Sequence, residues 1–221
     1  MRPYSCFAAL ALVPSVAFAG QLLVNPGLEL PLDAPSGSDL IDGWTLLEPS
    51  VDDVGAPVNS ASFTSFANHT PGGDRGLWLR SFEGGLGGDE PATVDATLYQ
   101  DVAAFAGVEY TLTAWFRYEA NFTTGAVLLS IQFLDAGMGE LSNATVDINS
   151  VNARDNVWRE FSINAVAAPG TAFLRASVRM IDGVVAPANP QSGFVDDFSL
   201  VPAPGAGALL AMGMIIPRRR R

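Results

Sequence analysis

Between Tyr110 and Glu119 the chain reads Tyr-Thr-Leu-Thr-Ala-Trp-Phe-Arg-Tyr-Glu, with Tyr110, Leu112, Ala114, Phe116 and Tyr118 on alternate positions. A period of two belongs to an extended strand with one face in a core, because a helix repeats every 3.6 residues and would spread these side chains around its axis. The alternation returns at Leu77–Phe82, Thr93–Val102, Val127–Asp135, Val157–Val166, Phe173–Ile181 and Gly193–Val201, with turn-forming residues between the runs. No run has a helical period, so the crossover helices of a parallel sheet are missing. The pattern predicts an all-β chain folded as a jelly-roll β-sandwich.

The ends differ from this middle. Arg2, the apolar run Cys6–Phe18 and the small residues of Ala17-Phe18-Ala19 have the form of a signal peptide, predicted as 1–19. The domain is then 20–201. Its start, Leu22-Leu23-Val24, reads as a short strand running into the turn Asn25-Pro26-Gly27, and 33–43 reads as loop. The proline-rich 49–76 is long for a loop in a compact domain and predicts a hidden strand near Ala61–Phe66. Pro202 and Pro204 close the last strand, and 202–221 forms a tail: a proline motif, the apolar Gly205–Ile216 and four arginines, Arg218–Arg221. The apolar part is predicted as a short helix, below the ~20 residues that span a bilayer.

Charge narrows the partners. Every one of the 23 acids lies between Glu29 and Asp197, and removing both ends leaves seven arginines and no lysine, a formal charge of 7 − 23 = −16. Such a field repels phosphate backbones, so nucleic acid is disfavoured, while solubility and divalent cations are favoured. The only cysteine, Cys6, falls in the signal segment, which leaves the domain without disulfides, thiolate metal sites or a cysteine nucleophile.

A series of short motifs then carries a family likeness. Asn25-Pro-Gly-Leu-Glu29, Gly43-Trp44, Gly76-Leu-Trp-Leu79, Tyr99-Gln-Asp-Val102, the stretch Gly107–Trp115, Trp158-Arg-Glu-Phe-Ser162 and Val195-Asp-Asp-Phe-Ser-Leu200 occur in this order. The series resembles carbohydrate-binding modules of the galactose-binding-like jelly-roll type, over about Gln21–Val201. The resemblance implies a structural calcium ion joining the Glu of the opening motif, Glu29, to an Asp of the closing strand, Asp196 or its neighbour Asp197. The loop Gly72-Gly73-Asp74 is a further source of carbonyls or of the Asp74 carboxylate, and calcium takes six to eight such oxygens. The tail resembles a bacterial PEP-CTERM sorting signal, with alanine where that motif has glutamate. This implies secretion to the surface or matrix of a bacterium, transient membrane contact through the tail and a sorting transpeptidase of the exosortase type as partner.

The residues themselves suggest where a ligand would lie. If the apolar positions face inward, the opposite strand faces carry Trp78 and Arg80, Trp115 and Arg117, Ser130 and Gln132, and Arg175, Ser177 and Arg179. Aromatic rings beside planar polar side chains suit a polysaccharide, and Trp78, Arg80, Trp115, Arg117, Gln132, Arg175 and Arg179 are the glycan-binding candidates. The competing expectation is that the tryptophans are core and that each arginine pairs with an acid on the adjacent strand. Trp44 and Trp158 are assigned to the core or its rim, and the lone His69 to the surface. No nucleophile elbow, metalloprotease helix or phosphate loop is present, and the acids of each adjacent pair, Asp52-Asp53, Asp89-Glu90 and Asp196-Asp197, should point to opposite strand faces or lie in a loop. The sequence therefore predicts a non-catalytic glycan-binding module. A structural matrix protein is the alternative, and a glycoside hydrolase the third reading.

Overall fold

A computed structural model describes residues 20–85 and 91–203. The predicted signal peptide and the apolar part of the tail lie outside the described residues. Among the described residues ten strands form two five-stranded antiparallel sheets. The first sheet has the order β1 (Thr45–Leu47), β4 (Val94–Ala103), β9 (Phe173–Gly183), β6 (Ala126–Leu134), β7 (Glu140–Asp147). The second has β2 (Ala61–Thr64), β3 (Gly76–Leu79), β10 (Gly193–Pro202), β5 (Glu109–Tyr118), β8 (Arg159–Val166). Consecutive strands change sheet at β4→β5→β6 and again at β8→β9→β10, and the chain is a jelly-roll β-sandwich. One α-helical turn, α1 (Ile148–Val151), is capped by the Asp147 carboxylate, which accepts the Asn149 N–H.

The alternation read in the sequence is the alternation of the core. Tyr110, Leu112, Ala114, Phe116 and Tyr118 of β5 are buried against Val127, Leu129, Ile131 and Phe133 of β6 and Leu174, Ala176 and Val178 of β9. Burial of each large side chain contributes about 1.5–3 kcal/mol. With no disulfide among the described residues, this sandwiched layer is the principal source of stability. Trp44 joins it as expected, its ring centroid 4.7 Å from that of Phe198 and its Nε1 donating to the Asn25 carbonyl.

Several local expectations are corrected. Leu22–Val24 is not a strand. The Gln100 amide takes the place of a peptide partner there, accepting the Val24 N–H at 2.7 Å and donating to the Val24 carbonyl at 2.9 Å. Gln21 accepts the Leu200 N–H and the Leu22 N–H donates to the Leu200 carbonyl, so the first described residues lie along the last strand. Strands β1 and β7 were not foreseen. β1 has three residues, and β7 is a polar edge strand without alternating large apolar positions. β10 runs to Pro202 rather than stopping at Val201. Proline is tolerated because β3 pairs only with Gly193–Val195, so the far end of β10 has no strand on that side.

One irregularity shapes the site. The pairing of β10 with β5 shifts register between Asp196 and Ser199, and Asp197 has φ 47°, in the left-handed region. An extra residue in a strand bends it and re-aims its side chains.

Candidate functional site

The two sheets send the candidate residues to opposite outer faces. Trp78, Trp115 and Arg117 belong to the second sheet, with Arg80 just past the end of β3, and Gln132, Arg175 and Arg179 belong to the first. They do not converge.

On the second sheet the chain covers its own aromatic side chains. A short 3-10 turn, Ser65–Ala67, leads 65–75 over the sheet, and the covering is tight: a Cβ on Gly76 would lie 2.0 Å from the Ala67 carbonyl oxygen. His69 stacks on Trp115 with ring centroids 4.3 Å apart and planes 20° from parallel, and its ring is 5.0 Å from that of Trp158. The Arg117 guanidinium lies 4.9 Å from the Trp158 ring and 4.2 Å from the Phe194 ring, and donates to the Phe66 carbonyl. Burial lowers its pKa, partly opposed by Glu119. Trp78 packs between Phe66 and Phe82, and Arg80 lies over Trp78 while bonded to Glu83 and Asn59. His69 is thus a packing residue, and Trp158 sits at the rim as a partly buried ring.

Beneath 68–74 lie the calcium candidates. Asp196 is fully buried. Its Oδ2 accepts the N–H groups of His69 (2.6 Å) and Thr70 (3.2 Å), and its Oδ1 accepts the Asp197 N–H (2.7 Å). Asp197 accepts from Thr70 Oγ1 and meets His69 Nδ1 at 2.6 Å. The adjacent acids were expected on opposite faces. The bulge turns both toward one segment. Burial is the first cause that pushes the Asp196 carboxyl up to about 8, with the Asp197 charge adding to it and the backbone N–H bonds opposing it.

Glu29 approaches from the opening motif. Its Oε2 accepts the Asp74 N–H at 2.6 Å, so Asp74 meets it through backbone while its own side chain is exposed. Glu29 Oε1 and Asn68 Oδ1 are buried and find no donor among the described residues. Both border Gly73: a Cβ there would lie 2.0 Å from the first and 2.9 Å from the second. Two orphaned oxygens in one place suit a hard, oxygen-ligated cation, since an unpaired buried acceptor costs about 1–3 kcal/mol. The Asp196 and Asp197 oxygens are engaged by N–H and O–H groups, and among the described residues no three His, Cys, Asp or Glu side chains form a metal-ligating cluster. The free oxygens that a cation would take here are Glu29 Oε1 and Asn68 Oδ1.

The outer face of the first sheet is open. Its register builds three cross-strand rungs: Asp101–Arg175–Gln132–Asn143, Tyr99–Ser177–Ser130–Thr145 and Thr97–Arg179–Leu128–Asp147. Most of these side chains line a groove of about 350 Å³, at the small end for a ligand site. In the first rung Arg175 grips Asp101 with two bonds, Nε–Oδ1 at 2.7 Å and Nη2–Oδ2 at 2.8 Å, which hold its pKa above the usual arginine value. Its guanidinium lies 3.9 Å from the Tyr99 ring centre, making a flat, half-buried plate. Gln132 and Asn143 both donate to Glu140, and Ser130 and Thr145 share a hydrogen bond of 3.0 Å.

Tyr99, Thr97, Asn143 and Thr145 were missed. The first two were readable, because the parity that sends Leu98 and Gln100 inward sends Thr97 and Tyr99 outward. Asn143 and Thr145 lie on the unforeseen β7.

No family model matches the sequence, and no curated protein matches it. Solved structures match the fold. An apo-form cyclase from Fischerella sp. is similar at TM-score 0.55 and 15% identity, covering 84% of this chain and 97% of that one. The TmCBM61 module in complex with β-1,4-galactotriose is similar at TM-score 0.50 and 19% identity, covering 82% of this chain and 98% of that one. The enzymatically active domain of bacteriophage CBA120 tailspike protein 4 is similar at TM-score 0.51 and 15% identity, over 76% of this chain. The match spans only 21% of that tailspike chain. At these identities the likeness is one of fold, and it includes carbohydrate-binding modules of the β-sandwich kind.

Proposed function

We propose that this domain is a secreted, non-catalytic glycan-binding module whose site is the groove on the first sheet, and that it is displayed at a bacterial surface or in an exopolysaccharide matrix. The observation that carries the reading is the set of three rungs: hydroxyl, amide and guanidinium groups in fixed register around the Arg175–Tyr99 plate. A pyranose has an apolar face that lies on a flat plate and a rim of hydroxyls that pair with such groups. The galactotriose-bound neighbour supports the ligand class by analogy of fold. Non-catalytic action is supported by the state of the acids nearby. Asp101 is held by Arg175, Glu140 by two amides, and Asp95 accepts the Asp182 N–H, so no free acid–base pair faces the groove among the described residues.

Within the same proposal, calcium bound by Glu29 and Asn68 clamps the opening motif to the 68–74 segment, which the Asp196 carboxyl group of the closing strand holds through the His69 and Thr70 N–H groups, and Gly73 is glycine to leave the two oxygens room. The tail 202–221 is removed by a sorting transpeptidase of the exosortase type after transient contact with the membrane.

Affinity electrophoresis against soluble polysaccharides tests the site. Tyr99→Ala should lower retention at least tenfold with the fold intact, whereas Trp115→Ala should leave the retention of folded protein unchanged. The reverse pattern would move the site to the second sheet, and a blank across the panel would favour a structural matrix protein.

A further inference from the structure

The seven arginines of the domain do not have equal surroundings. Arg80 bonds Glu83 and Asn59, Arg154 bonds the Phe122 carbonyl and Asn149, Arg159 grips Asp155 and Arg175 grips Asp101. Arg75 is buried and donates to the Ala34 carbonyl, and Arg117 donates to the Phe66 carbonyl. Arg179 alone makes no hydrogen bond and no ion pair among the described residues, and it is exposed on the groove floor. Its position is fixed by β9, the central strand of the first sheet, and its cross-strand neighbours are Thr97 and Leu128, both uncharged. Asp95, the acid that shares the groove with it, is turned to the Asp182 N–H.

Acids outnumber arginines 23 to seven between the ends, so a partner for an outward arginine is easily found. Arg175, four residues away on the same strand face, has one. Its charge is cancelled and its plane fixed, which makes it a platform. Arg179 keeps its charge and all five of its donors. A guanidinium matches a carboxylate through two parallel hydrogen bonds, a geometry that a neutral hydroxyl pair reproduces at roughly half the strength.

We infer that the groove selects a glycan bearing a uronic acid, whose carboxylate is received by Arg179 while the neighbouring sugars rest against the Arg175–Tyr99 plate. This inference rests on the glycan-binding reading above. The net charge of the domain limits the ligand further. A dense polyanion is repelled by the field of the whole protein, so the preferred glycan carries an isolated carboxylate among neutral sugars.

The test uses repeat-unit oligosaccharides of glucuronoxylan and of gellan, each containing glucuronic acid, and their carboxyl-reduced counterparts, which are neutral with the same backbone. Calorimetric titration of the domain should give at least tenfold tighter binding of one acidic form than of its reduced partner. Arg179→Gln should erase that difference and leave the melting temperature in place, because Arg179 makes no hydrogen bond and no ion pair among the described residues. Equal binding of the acidic and reduced forms, or an acid preference that survives Arg179→Gln, overturns the inference and leaves the glycan-binding reading standing. Binding of neither form, with a blank against the wider polysaccharide panel, overturns both.

Discussion

Asp196 offers the sharpest test of the junction between the opening motif and the last strand. Its carboxyl is fully buried and titrates near 8 in the folded chain, against about 3.9 when unfolded. Between those values the native protein holds a proton that the unfolded chain has released. Stability from this group is therefore fully present below about pH 4 and is lost as pH rises through about 8. One proton is worth about 1.36 kcal/mol per pH unit, which sets a ceiling of about 6 kcal/mol over that window. Opening of the His69–Thr70 segment to water would relieve part of the cost of an ionised Asp196, so the expected loss is about 2–3 kcal/mol. Melting in chelator from pH 4.5 to 8.5 should reveal it as a falling transition temperature. Asp196→Asn, which stays neutral, should flatten that fall relative to the wild type. Calcium should flatten it too, because a nearby cation favours the ionised form. A wild-type transition that stays level in chelator, or one that falls equally in Asp196→Asn, refutes the assignment of a buried, protonated Asp196.

Two further substitutions probe the two halves of the site. Gly73→Ala should remove most of the calcium response, because its Cβ would lie 2.0 Å from Glu29 Oε1, and the wild type should gain about 2.7 kcal/mol at calcium one hundredfold above its dissociation constant. Calorimetric melting with calcium and with chelator checks both, and an undiminished response in Gly73→Ala would place the ion elsewhere. Trp115→Ala removes the ring under His69 and should cost about 2 kcal/mol or more of stability in urea titration, while a cost near zero would mean that the stack contributes nothing to the fold.

The sandwich was legible because its longest core strands repeat with a period of two, as at Tyr110–Tyr118 and Val94–Gln100. The edges were not legible for the same reason. β7 has no buried row of large side chains, so Asn143 and Thr145 could not be placed. Periodicity also says which side chains leave the core but not to which of two sheets a strand belongs. Trp115 and Arg175 were equivalent by that measure, yet they lie on opposite surfaces. The capping of Trp115 by His69 required knowing that 65–75 folds back over the second sheet, a non-local contact with no local pattern. The convergence of Asp196 and Asp197 depended on a single left-handed residue, and aspartate at that position carries no signal as strong as a glycine would.

The bonds between Gln21–Leu22 and Leu200 link residues about 180 positions apart along the chain. They set an order of assembly. Gln21 and Leu22 have no strand to lie along until the last one has arrived, so a chain emerging N-terminus first leaves these two residues unplaced through most of its synthesis. Closure comes last and joins distant ends, which by the entropy of long loops makes the final step slow. It also leaves both ends of the finished domain side by side, so a circular permutant joining residues 20 and 203 through a short linker, with new ends in the exposed turn at Gly137, should retain the sandwich.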